Sequence, residues 1–136
     1  METDAEKIPT FFRFEDLRIY NKALEYIEWV HRIVQVIPEN SANGLDQKFV
    51  TSAQNIALNI AEGSSRNKSQ FVYYLKMAKS CVRECVVFTT VCKNLGYFSD
   101  ESVENSRTHL MEMTKMLGAL IGSLQKSAGI TNDDND

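Results

Sequence analysis

Asn59-Ile60-Ala61-Glu62-Gly63-Ser64-Ser65-Arg66-Asn67 sits in the middle of the stretch that decides the fold, residues 45–95. Before it, Leu45, Phe49, Ala53, Ile56 and Ile60 recur at spacings of three and four. After it, Phe71, Leu75, Ala78, Val82, Cys85, Phe88 and Cys92 do the same. That period is the signature of an amphipathic helix, not of a strand. Two helices joined by a short polar turn therefore form the centre of the chain. Asn67 and Gln70 have the spacing of a capping box, which starts the second helix. Gly63 is expected as the left-handed C-terminal cap of the first.

The flanking sequence adds one helix on each side. Residues 15–37 carry Leu17, Tyr20, Leu24, Ile27, His31 and Val34 as a core line, widened by Ala23 and Val30. Pro38 ends that helix by disfavouring helical geometry in the residue before it. Asn43-Gly44 supplies the following turn. Leu95-Gly96-Tyr97-Phe98 stops the third helix. Ser99 then caps a fourth, with Asp100 and Glu101 loading its first turn. Its line is Val103, Ser106, Leu110, Met113, Leu117, Leu120 and Leu124, a heptad repeat suited to bundle packing. Four long helices with short links give an all-α, antiparallel up-down-up-down four-helix bundle.

The domain plan is a flexible N-terminal arm over 1–13, a bundle over 14–126, and an acidic, disordered tail over 127–136. Phe11 and Phe12 in the arm are expected to dock on the bundle or a neighbour. At 136 residues the chain buries enough surface to fold without metal or disulfide. No apolar run approaches the length of a membrane span. Three cysteines, without a charged-then-apolar amino terminus, lead us to expect reduced thiols and a cytoplasmic location.

Net charge is −3, but it is unevenly spread. Between Gln47 and Asn94, Lys48, Arg66, Lys68, Lys76, Lys79, Arg83 and Lys93 face only Glu62 and Glu84. A basic middle between acidic ends offers a local surface for anions. Arg66, Lys68, Lys76, Lys79 and Arg83 are the candidate nucleic-acid contacts, with Tyr73 and Tyr74 nearby for base stacking. The plain alternative is a solvated helix face.

Other chemistry is weaker. Glu28-Trp29-Val30-His31 has the Glu-x-x-His spacing of a di-iron bundle, with Glu62 and Glu84 as further carboxylates. The motif should occur twice, yet Ser106 stands three residues before His109, the other histidine. A metal-dependent bundle enzyme is therefore the alternative reading, and the expectation is no cofactor, no metal and no catalytic role. Cys81, Cys85 and Cys92 lie close to one face and read as small buried hydrophobes. Lys48, Ser52, Asn55, Asn59 and Glu62 form a polar stripe that faces solvent, a lumen or a subunit contact. The run 81–92 is apolar nearly all round, so burial on every side is expected, with a second subunit covering Val87, Val91 and Phe88.

The chain resembles the four-helix-bundle family of proteins encoded in intervening sequences of large-subunit ribosomal RNA. Phe14-Glu15-Asp16-Leu17 with Tyr20, Lys22 and Ala23 is similar to the family's opening pattern. Asn59-Ile60-Ala61-Glu62-Gly63 is similar to its signature at the end of helix two. Ser69, Phe71, Leu75, Ala78, Ser80 and Glu84, then Leu95-Gly96-Tyr97, continue the match. The resemblance implies a cytoplasmic bundle assembled as a ring-shaped homopentamer. Through the related accessory variability proteins of diversity-generating retroelements, it also implies RNA or DNA and a reverse transcriptase as partners; a scaffold that binds only a protein partner is a separate alternative. The chain departs from the family pattern where Val50 and Thr51 replace a common arginine pair and Ala57 replaces a common proline.

Overall fold

The computed structural model describes residues 11–39 and 41–129. Four α-helices account for most of it: α1 (Arg18–Ile33), α2 (Leu45–Ser64), α3 (Lys68–Asn94) and α4 (Asp100–Ala128). Each packs on its neighbours in sequence, and α1 also packs on α4, while α1–α3 and α2–α4 make no direct backbone approach. That cyclic order with short links is the antiparallel up-down-up-down four-helix bundle. No strand occurs among the described residues. Residues 1–10 of the expected arm and 130–136 of the expected tail lie outside the described residues.

The first helix is shorter than its apolar pattern. Leu17 is extended (ψ 129°), and single 3-10 turns, Arg13–Asp16 and Val34–Val36, flank α1. Asn21 Nδ2 donates to the carbonyls of Glu15 and Leu17, both at 3.1 Å, occupying acceptors at that break. Ile37, before Pro38, is extended as the proline requires. Its buried line is also displaced: Ile19, Ala23, Tyr26, Val30 and Val34 are buried, whereas Leu17, Tyr20, Leu24 and Ile27 are half-buried flanks. His31, placed on the core line by sequence, is exposed. Both rows have helical spacing. The row holding Tyr26 is buried, and its hydroxyl has a partner there, 2.8 Å from Ser106 Oγ. Ser106 in turn meets Thr89 Oγ1 at 2.7 Å, so a polar chain links α1, α4 and α3 through the core.

In α4 the buried line follows the heptad through Ser106, Leu110, Met113 and Leu117. It then shifts to Ile121 and Gln125 in place of Leu120 and Leu124. A straight helix drifts about 20° per heptad against a strict seven-residue repeat, and two heptads of drift move the line to the next row.

Gly63 corrects a second expectation. It lies inside α2 rather than beyond it, and it is not among the residues of positive φ. Close packing is what excludes a side chain: an added Cβ would stand 2.6 Å from Tyr74 Cβ and 2.9 Å from Phe71 Cδ1. Gly96 (φ 79°), by contrast, is the left-handed stop after α3, and Asn43 and Gly44 (both φ 64°) turn the chain into α2. Asn67 Oδ1 accepts from Gln70 N at 2.8 Å, the cap read from sequence. One end of the core is an aromatic layer in which the Phe49 ring lies 5.5 Å from Phe88 and 6.1 Å from Phe98.

Candidate functional site

Because α3 is the longest basic segment, its outward surface decides where an anion could sit. Lys68, Lys76, Lys79 and Arg83 recur at eight, three and four. The same line continues through Val86, which lines the open groove between α3 and α4. That groove, about 290 Å³, is also lined by Glu104, Arg107, Met111 and Thr114 of α4, so a carboxylate stands beside the arginine. The four cations of α3 therefore share the α3–α4 side of the bundle. Lys68 Nζ donates to Ser127 Oγ near the end of α4, where the antiparallel packing brings the two helix ends together. Arg83 Nη2 donates to Ser80 Oγ at 3.2 Å. Lys76 and Lys79 are half-buried, and Arg83 is exposed. Among the described residues, neither Lys79 nor Arg83 is held in an ion pair.

Arg66 stands apart. Its Nε and Nη2 donate to Glu62 Oε2 at 3.1 and 2.6 Å, and its guanidinium lies 5.4 Å from the Tyr74 ring. The hydrogen bonds to Glu62, with the Tyr74 and Glu62 charges behind them, raise its pKa above the ordinary arginine value. Its charge is spent locally, so four of the five sequence-predicted contacts form one face and the fifth does not join them. Sequence reading missed the α4 side of that face. Arg107 lines the groove, and Lys115 follows Met111 by one helical turn. A helical wheel of α4 would have shown this, had the packing partner of α3 been known.

The apolar surface of α3 is on another side. Val87 is 60% exposed, Val91 is half-buried, and Phe88 is half-buried against Phe49. Burial on every side, expected for 81–92, does not occur within one chain: Arg83, Glu84, Val87 and Thr90 are exposed. A single bundle packs only the inward side of α3. Leu58 and Met77 are further exposed apolar groups that the sequence reading had not singled out, and Tyr73, read there as a base-stacking candidate, is exposed as well. Tyr73, Met77, Ser80, Glu84, Val87 and Val91 are spaced four, three, four, three and four, an outward heptad row. Leu58 could have been found as the apolar residue opposite the α2 core line.

The carboxylates are kept apart. Glu62 is engaged with Arg66, while Glu84 Oε1 accepts from Ser52 Oγ at 2.8 Å. The polar stripe of α2 thus borders α3: Asn59 Nδ2 bonds the Asn55 carbonyl and approaches Cys81 Sγ at 3.7 Å. Glu28 and His31 are exposed, and His109 packs on the rings of Tyr26 and Trp29. Among the described residues, no group of three or more His, Cys, Asp or Glu side chains is placed to hold a metal ion.

All three thiols are free and buried. Burial raises each pKa, to about 11 for Cys92, and Glu84 adds to the rise at Cys81. A thiolate is the reactive form, so these groups are poor nucleophiles. Because the unfolded chain ionises first, the stability tied to the neutral thiols is fully present below about pH 8.5. It is lost as pH rises toward 11. Urea midpoints should fall across that window, and alanine or serine at Cys92 should flatten the fall. A flat profile in the parent chain would contradict the burial argument.

No helix among the described residues is long and apolar enough to cross a membrane. The 23S rRNA-intervening sequence protein family matches residues 15–119. No curated protein matches the chain. Among solved structures, a protein of unknown function from the S23 ribosomal protein family of Bacteroides thetaiotaomicron VPI-5482 superimposes with a TM-score of 0.70. It is 19% identical, over 76% of this chain and 95% of that one, a likeness of fold. Neither description names an enzyme. The match over 15–119 takes in the Glu15-Asp16-Leu17 opening, the Asn59–Gly63 segment that packs under Tyr74, and the α3–α4 face: the chain belongs to the 23S rRNA-intervening sequence protein family.

Proposed function

We propose that the chain is a non-catalytic module that assembles with copies of itself and holds nucleic acid by its phosphates. The observation that carries the phosphate reading is the α3–α4 face. Lys79 and Arg83 lie there outside any ion pair among the described residues, with Lys68, Lys76, Arg107 and Lys115 along the same side. Mobile surface cations of this kind release counterions when phosphate replaces them, and the binding carries no base preference of its own. Repetition of the face in a ring, which the family resemblance implies has five copies, would turn a weak patch into a firm grip through multivalency. The outward row of α3, with Tyr73, Met77 and Val87 exposed, supports the self-association half.

Charge reversal tests it. The double variant Lys79→Glu, Arg83→Glu should lose about tenfold or more of its affinity for single-stranded RNA at about 50 mM salt. The salt slope should flatten by about one per contact removed. Retained affinity in a folded double variant would overturn the phosphate reading. That outcome would favour a scaffold that binds only protein, the reading for which the apolar row of α3 already speaks.

A further inference from the structure

Glu104 is the misfit of the α3–α4 face. It lines the groove beside Arg107, on a surface otherwise suited to phosphate. A carboxylate in that place repels a phosphate. Nor does it neutralise its neighbour: among the described residues, neither Glu104 nor Arg107 is in an ion pair. The two exposed side chains stand three residues apart on one helix face, about 5–6 Å between Cβ atoms.

The rest of the lining is largely apolar. Leu110 is buried, Val86 is half-buried, and Met111 is 53% exposed, a thioether left in water. Thr114 Oγ1 is engaged by the Leu110 carbonyl at 2.8 Å. At about 290 Å³ the groove is at the small end of ligand sites, which run from roughly 300 to 1,000 Å³. Cations bracket one end of it. Arg83 precedes Val86 by three residues, Lys115 follows Met111 by four, and the two helices run antiparallel.

An apolar surface with one carboxylate and one guanidinium suits a flat, uncharged ring that donates from one edge and accepts at another. Guanine meets both groups in full. Its N1–H and N2–H sit side by side for the two carboxylate oxygens, and its O6 and N7 accept from the guanidinium fork. Adenine and cytosine offer the carboxylate a single amino group, and uracil a single ring N–H. In a duplex the N1–H edge is already paired, so the base must come from a single strand.

We propose that the α3–α4 groove takes an unstacked guanine of a single strand. Glu104 accepts from N1–H and N2–H, Arg107 donates to O6 and N7, and Met111 lies against the ring. The flanking phosphates then fall to Arg83 and Lys115. This rests on the nucleic-acid reading above and adds the base preference that phosphate contacts lack.

Fluorescence anisotropy of the full chain tests it, using short oligouridines with guanine, adenine, cytosine or uracil at the centre, at about 150 mM salt. The guanine strand should bind about fivefold or more tightly than the others, and annealing its complement should remove the advantage. Glu104→Ala, a benign change at an exposed helix position, should also remove it. The same variant should bind plain oligouridine more tightly, since a negative charge leaves the phosphate path. Equal affinity for all four strands overturns the guanine groove and leaves the phosphate reading standing. A guanine advantage that survives Glu104→Ala overturns it as well. If no strand binds, the phosphate reading and the single-strand part fall together, and free guanosine decides the groove. Saturation-transfer NMR should then show contact with guanosine over adenosine that Glu104→Ala abolishes, and no contact would overturn the groove too.

Discussion

Alanine at Gly63 is expected to cost about 3 kcal/mol of folding stability. For a chain of this length that lowers the thermal midpoint by roughly 10 °C. The new Cβ would stand 2.6 Å from Tyr74 Cβ, an atom fixed to the α3 backbone that no rotamer change can move. Relief requires α2 and α3 to separate where the turn 65–67 ties them together. Alanine at Gly118 is the matched comparison. There the added methyl meets nothing within 4 Å, and removal of a mid-helix glycine should stabilise by about 0.5–1 kcal/mol. Opposite signs at two helical glycines is the expected result. If Gly63→Ala proved neutral, the close approach of α2 and α3 would be wrong.

Truncation of Phe49 to alanine should cost more, about 3–5 kcal/mol. The ring is fully buried and forms the centre of the aromatic layer, with Phe88 at 5.5 Å and Phe98 at 6.1 Å. Its removal empties the space between α2, α3 and the segment before α4, and rigid helices close such a space only in part. It also frees Phe88, whose half-buried ring borders the exposed Val87 and Val91. Phe49→Leu should recover most of the loss, because it restores apolar volume without the ring contacts. Phe11→Ala, at a ring 89% exposed, should shift stability by less than about 0.5 kcal/mol. Denaturant midpoints for the three variants would rank them. A small effect at Phe49 would mean that the aromatic end of the bundle is not close-packed.

The helices and their order were legible from the sequence because spacing, caps and breakers agreed. Asn67, Ser99, Pro38 and Gly96 each act where their chemistry places them. Rotation about each helix axis was less legible. In α1, two adjacent rows carry helical spacing, and the buried Tyr26 row is joined to the core through Ser106 and Thr89, residues distant in sequence. In α4 the heptad could be counted, but the drift that exchanges Leu124 for Gln125 depends on how straight the helix runs. Gly63 stood out in the sequence for the wrong reason. A glycine near a helix end suggests a left-handed cap, and only the neighbouring helix reveals a close approach. The candidate site was half legible. The spacing of the α3 cations puts them on one face. The Glu62 pairing that withdraws Arg66 is an i,i+4 contact that the sequence already contained. Arg107 and Lys115 needed the knowledge that α4 lies beside them.

Solution mass, by light scattering behind size-exclusion chromatography, tests the proposed assembly most directly. The account predicts a mass several times 15.5 kDa, near fivefold, and its reduction when Val87 and Met77 are changed to glutamate in a chain that remains helical. A 15.5 kDa particle at high protein concentration would contradict self-assembly. It would leave the row from Tyr73 to Val91 as a surface for a different partner.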